Sequence, residues 1–153
     1  MNGTSALSAA GLAIVLTGLC VAASAEDWAI SATENCRTSL GNTVSSGGGL
    51  QASGGTAVVT CALTREGGSD TLNQVYARLK RNSASGADPF CYVSTRSNHG
   101  TPSSAGYGYA SDTTANQSVS ISLPTQYSYG YADIGCVLNS GDTLYGIRYL
   151  QDN

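Results

Sequence analysis

The sequence predicts an all-β protein, an antiparallel β-sandwich or jelly roll of about eight strands. Three observations carry that class. Apolar residues recur at every second position in several short runs, which is the period of a strand with one buried face. The runs are separated by segments rich in Gly, Ser and Asn, and 19 residues of the chain are glycine. After residue 26 no stretch sustains a helical period, and no repeat of solenoid or propeller length recurs.

In chain order, residues 1–25 come first and carry no charged side chain. The apolar run GLAIVLTGLCVAA leads into Ala23-Ser24-Ala25, immediately before Glu26 and Asp27. An apolar run ending in a small-x-small site is the pattern of a cleaved signal peptide, although the usual basic residues before it are missing. An uncleaved anchor is the competing reading. Cys20 follows Leu19, which is not the small residue a lipoprotein signal needs. Cleavage leaves residues 26–153 as one domain, long enough to bury a core. It leaves no segment for stable membrane insertion.

Residues 28–32 (WAISA) alternate weakly and read as an edge strand. Residues 35–55 read as a loop, because their Asn, Ser, Thr and Gly bury little, so that their order must come from Cys36. Residues 56–65 (TAVVTCALTR) are a strand with Val59, Cys61 and Leu63 on one face, and residues 66–70 (EGGSD) are a turn. Residues 72–81 (LNQVYARLKR) tolerate a helix, but Val75, Ala77 and Leu79 alternate with Gln74, Tyr76, Arg78 and Lys80, so they read as a strand. Arg78, Lys80 and Arg81 read as solvated charges that discourage edge pairing. After a turn at 82–89, residues 90–96 (FCYVSTR) place Cys91, Val93 and Thr95 inward. A polar loop at 97–106 precedes a short strand at 107–110 (YGYA). Residues 119–123 (VSISL) alternate cleanly and are stopped by Pro124.

Residues 127–138 (YSYGYADIGCVL) are the most informative stretch. Read as one strand, they set Ala132, Ile134, Cys136 and Leu138 on one face and Tyr127, Tyr129, Tyr131 and Asp133 on the other. Gly130 and Gly135 are places for a bulge. A turn at 139–142 and a last strand at 143–150 (TLYGIRYL) complete the chain.

Removing the leader leaves Cys36, Cys61, Cys91 and Cys136. An even count in an exported chain reads as disulfides, and none of the spacings is the close pair that zinc requires. Four cysteines allow three pairings. Cys36–Cys61 is favoured because it ties the irregular early segment to the first good strand, and Cys91–Cys136 because it joins two core strands.

These elements resemble a family of exported bacterial four-cysteine proteins. That family has an early Cys in a loop, a strand V-x-C-x-L/V-x-R, a strand with a third Cys, and a strand Tyr…Cys-x-Leu close to a β C-terminal end. The corresponding residues are Cys36, the run Val59-Thr60-Cys61-Ala62-Leu63-Thr64-Arg65, Cys91, Tyr131 with Cys136-Val137-Leu138, and Ile147-Arg148-Tyr149. One departure is Leu138-Asn139, where the family often has Leu-Pro. The resemblance implies export and a disulfide-bonded β-sandwich, and it implies no activity.

Charge and chemistry narrow the function. Ten acidic and seven basic residues give −3, which argues against a general nucleic-acid binder. His99 is the one histidine, no G-x-S-x-G elbow is present, and the acids are dispersed among turns. The expectation is therefore a non-enzyme with no cofactor, a small secreted hydrolase being the remote alternative. A structural calcium held by turn oxygens near Asp70, Asp88 and Asp142 is a further, weaker reading. The aromatic set is skewed: nine tyrosines against one Phe and one Trp. Tyr107 and Tyr109 are in phase, as are Tyr127, Tyr129 and Tyr131, and Asp133, Arg78 and Arg96 fall on outward phases. The plainer account is that tyrosine forms strands well and its rings shield cross-strand neighbours while the hydroxyl stays wet; the functional expectation is that such a face binds glycan or an extracellular protein through flat rings and hydrogen-bonding groups. The structural alternative is a self-associating subunit of a coat, matrix or filament, suited by low charge and many Gly and Ser residues. Either reading places the protein in the periplasm, at the cell surface or outside the cell.

Overall fold

The computed structural model describes residues 26–63, 71–82, 86–100, 105–113, 115–127 and 130–152. The 1–25 leader, the 66–70 turn and Tyr129 lie outside the described residues. The elements in order are β1 (Glu26–Ser31), α1 (Ala32–Asn35), β2 (Cys36–Leu40), β3 (Thr43–Ser46), β4 (Gly49–Ala52), β5 (Ala57–Leu63) and β6 (Thr71–Lys80). There follow β7 (Phe90–Arg96), β8 (Gly106–Tyr109), β9 (Gln117–Ile121), β10 (Tyr131–Leu138) and β11 (Thr143–Asp152). They form two antiparallel sheets, as the alternation predicts. One runs β3-β4-β11-β6-β9, with β1 also on β11, and the other runs β2-β5-β10-β7-β8.

The core lies between the layers and is built by the period-two residues. Val59, Cys61, Leu63, Cys91, Val93, Ile134, Cys136 and Leu138 come from one sheet. Val75, Ala77, Leu79, Val119, Ile121, Leu144, Ile147 and Tyr149 come from the other. Each fully buried branched side chain contributes about 1.5–3 kcal/mol. Tyr149, only 1% exposed, is thus a core residue and not part of any tyrosine surface.

The cysteines pair as Cys36–Cys61 and Cys91–Cys136. Each bridge joins residues directly opposite one another on neighbouring antiparallel strands, β2 with β5 and β7 with β10. Closing loops of 25 and 45 residues, they contribute about 3.5 and 4 kcal/mol in the chain-entropy account.

Four expectations need correction. The 35–55 segment is not a loop but the three short strands β2, β3 and β4. Its glycines are the reason: Gly47 and Gly48 have φ of 56° and 82°, the backbone that a two-residue hairpin turn requires between β3 and β4. Its order comes from backbone pairing to β5 and β11 as well as from Cys36. Second, β10 starts at Tyr131, not Tyr127. The Gly130 N–H donates to the Tyr127 carbonyl at 3.1 Å, closing a turn, and a Cβ on Gly130 would strike the Arg96 carbonyl. Third, Arg81 is not a solvated edge charge. It is 8% exposed, pairs with Asp88 at 2.8 Å and donates to the carbonyls of Ser111 (2.8 Å) and Gly86 (2.7 Å). Fourth, there are eleven strands and one four-residue helical turn among the described residues, not about eight strands.

Polar groups bind the loops to the sheets. The Asp142 carboxylate, 2% exposed, accepts the N–H groups of Asn82 (2.8 Å) and Asn139 (2.9 Å). The Gln126 side-chain amide accepts from Leu72 N–H at 2.7 Å and donates to Leu72 C=O at 2.6 Å, pairing with β6 as a strand would. Where β8 meets the end of β9, the two sheets touch: the Ser122 N–H donates to the Tyr107 carbonyl at 3.4 Å, and the Tyr107 N–H donates to the Ser122 hydroxyl at 2.9 Å.

Replacing Cys91 and Cys136 together by Ser is expected to cost about 4 kcal/mol. Guanidinium unfolding of the oxidised protein and the double variant measures it. The cost for Cys36 with Cys61 is expected to be slightly smaller, because that loop is shorter.

Candidate functional site

The site is built on the outer face of the β2-β5-β10-β7-β8 sheet. The alternation of β7 sends Cys91, Val93 and Thr95 into the core and leaves Phe90, Tyr92, Ser94 and Arg96 outside. β8 reads GYGY, and its buried glycines are required by the edge of the sandwich. A Cβ on Gly106 or Gly108 would collide with the Ser122 or Ser120 carbonyl of the facing segment. The glycines let the two layers approach, so Tyr107 and Tyr109 must point outward; they are 49% and 59% exposed.

Register then brings the rings together. Phe90 lies opposite Tyr109, and Tyr92 opposite Tyr107. Ring centroids are 5.4 Å apart for Phe90–Tyr109, 6.2 Å for Phe90–Tyr107 and 6.2 Å for Tyr92–Tyr107. The planes are tilted by 35° to 55°, so the surface is corrugated, with Tyr107 and Tyr109 exposed and Phe90 and Tyr92 half-buried. On the other side of β7, Gly135 of β10 is the register partner of Tyr92. A Cβ on Gly135 would overlap the Tyr92 phenol, so that ring lies over the glycine and is held down on the sheet. Further along, Ser94 faces Asp133, and Arg96 faces Tyr131, which is 61% exposed. From Phe90 to Arg96 the face runs about 20 Å.

The structure therefore brings Tyr107, Tyr109, Tyr131, Asp133 and Arg96 onto one surface. It does not bring Arg78 there: β6 belongs to the other sheet, and Arg78 stands over the Tyr145 ring at 5.8 Å from its centroid. Tyr127 is half-buried and precedes β10, its carbonyl accepting from the Gly130 N–H. Phe90 and Tyr92 complete the cluster and are not among the sequence candidates. The same alternation that buries Cys91 and Val93 marks both as outward. What the sequence lacks is the pairing of β7 with β8.

The layer order and this surface invite comparison with known proteins. The fold is similar to that of CBM35 from Cellvibrio japonicus Abf62. The two share 12% identity with a TM-score of 0.51, over 81% of this chain and 92% of that one. That protein is by its name a carbohydrate-binding module, and at this identity the likeness is one of fold. No protein-family model matches the chain, and no curated protein matches it by sequence.

His99 is exposed in the turn that the Gly100 N–H closes onto the Ser97 carbonyl, at 2.9 Å. Among the described residues no three His, Cys, Asp or Glu side chains gather as a metal site would require. The carboxylates of Asp88 and Asp142 are engaged by Arg81 and by backbone N–H groups.

Gly135→Ala tests how the tyrosine face is supported. The added methyl is expected to lift the Tyr92 ring and to cost about 1–3 kcal/mol. Near-UV circular dichroism reads the ring displacement, and thermal unfolding reads the stability.

Proposed function

We propose that this protein is an exported, non-catalytic module that binds glycan through the outer face of the β2-β5-β10-β7-β8 sheet. The observation that carries the reading is the cluster of Tyr92, Tyr107 and Tyr109 around Phe90, with Tyr107 and Tyr109 exposed, on a disulfide-braced sheet. Sugar rings have apolar C–H faces and equatorial hydroxyls. Aromatic faces take the former, and phenol hydroxyls, Asp133 and Arg96 hydrogen-bond the latter. The rings stand on a rigid sheet, so little ordering entropy opposes binding. The tilt between rings favours one sugar per ring and a chain that turns as it crosses the face. The fold likeness to a carbohydrate-binding module supports the same class. Export is supported by the leader pattern of residues 1–25 and by the two disulfides, which form in oxidising compartments.

Affinity electrophoresis in gels cast with soluble polysaccharides tests the reading. The protein is expected to be retarded by at least one of them. Tyr107→Ala with Tyr109→Ala is expected to weaken that retention by about tenfold or more. Retention unchanged in the double variant would overturn the assignment of the face.

A second reading, self-association, has its own observation. β2 and β3 each pair on one side only among the described residues, and beside them Leu40 and Val44 are 65% and 48% exposed. Unpaired edges with apolar side chains are where a second copy adds strands. On that reading, light scattering shows mass growing with concentration, and Val44→Lys returns the protein to a monomer.

A further inference from the structure

The opposite sheet carries a groove that the tyrosine face does not explain. It encloses about 520 Å³ on the outer side of β6 and β11. A second hollow of about 190 Å³ shares Tyr76, Ser118 and Arg148 with it and carries it on to Gln74 and Leu150. From Gly146 to Leu150 the groove follows β11 for about 13 Å. Local sequence makes the hollow. The β11–β6 register shifts between Leu144 and Gly146, so Tyr145 is an extra residue. Gly146 leaves the floor bare and also sets one wall. A Cβ there would strike the Ile30 carbonyl, so the glycine lets the end of β1 close in. α1 continues that wall, and Ser118 on β9, small and exposed, forms the opposite side.

The lining mixes apolar surface with groups that donate and accept hydrogen bonds. Ile30 and the phenol rings of Tyr76 and Tyr145 supply the apolar part. Ser31, Asn35 and Ser118 supply hydroxyl and amide groups. The Tyr76 hydroxyl donates to the Gln74 side-chain oxygen at 2.9 Å, which fixes its direction and leaves its lone pairs to accept from a ligand. Charge within the groove is balanced. Arg148 lines it but is already engaged by a partner. Arg78 and Glu34, both exposed, are of opposite sign, so a neutral ligand suits the groove better than an ion. Arg78 stands over the Tyr145 ring at 5.8 Å, which limits the directions its planar fork can take. The volume falls in the range of small-molecule sites, roughly 300–1,000 Å³.

We propose that this groove is a second carbohydrate site, taking a neutral disaccharide or the end of a neutral chain. The apolar C–H faces of the sugar lie on the phenol rings, and its hydroxyls bond to Glu34, Asn35, Arg78 and Ser118. Two neighbouring hydroxyls donate to one carboxylate or accept from both arms of one guanidinium, which a single hydroxyl does not. A flat aromatic molecule without hydroxyls leaves those groups unpaired. The groove and the tyrosine face lie on different sheets, so each stands or falls by itself.

NMR titration with cellobiose, maltose, lactose and mannobiose, with indole as the hydroxyl-free comparison, tests the assignment. At least one disaccharide is expected to shift amides of β6, β11 and α1. The same shifts are expected when Tyr107 and Tyr109 are both replaced by Ala, which separates this site from the tyrosine face. Glu34→Ala, an exposed change, is expected to weaken the binding by about tenfold. Ser118→Phe, also exposed, fills the groove from the β9 side and is expected to abolish the shifts with the thermal unfolding midpoint unmoved. Four results would overturn the site: no disaccharide shifts those amides, indole alone shifts them, the shifts vanish with the two tyrosines, or either groove variant binds as the wild type does.

Discussion

Cys91 and Cys136 sit opposite one another on adjacent antiparallel strands, and both point into the core. That bridge permits one register between β7 and β10. A slip of one residue would turn every side chain of a strand to the other face. With the register held, Phe90, Tyr92, Ser94 and Arg96 must face outward, as must Tyr131, Asp133 and Gly135. The glycine partner of Tyr92 then has its purpose, because only a residue without Cβ leaves room for that ring to lie on the sheet. The outer surface is in this sense a consequence of how the inner one is locked.

The two outer faces show how one pleated architecture yields different surfaces. On one, glycines within β8 allow the layers to approach and push two phenols into solvent, giving an aromatic relief with Asp133 and Arg96 further along it. On the other, a bulge at Tyr145 and a bare position at Gly146 make a depression, and charged side chains on β6 and β11 surround it. Both rest on β-structure whose rigidity comes from the same core and the same bridges. β11 is the common member of the second sheet, paired along one side by β6 and along the other by β4 and then β1.

Legibility followed the strength of the alternation. β5, β6, β7 and β9 were readable because Val59-x-Cys61-x-Leu63, Val75-x-Ala77-x-Leu79, Cys91-x-Val93-x-Thr95 and Val119-x-Ile121 each bury one face and expose the other. β2, β3 and β4 were not, because these short strands gain their order from backbone pairing, which leaves little mark on composition. Arg81 was misread for a related reason: spacing places a side chain on a face, but the carbonyls that hold it come from outside its strand, Gly86 in the turn that follows and Ser111 in a loop thirty residues on. Tyrosine counting had the same blind spot, since Tyr149 and Tyr107 are alike in composition and opposite in burial.

The chain by itself determined that the protein is all-β, which residues of each strong strand point together, and that phenol rings are plentiful on outward phases. Those properties are local, set by the two-residue period and by steric limits on a single strand. The tertiary structure alone decided which strands are neighbours. That choice placed Phe90 and Tyr92 beside Tyr107 and Tyr109, and it moved Arg78 to the far layer. Neighbour choice depends on contacts between residues far apart in sequence, and no local pattern encodes it.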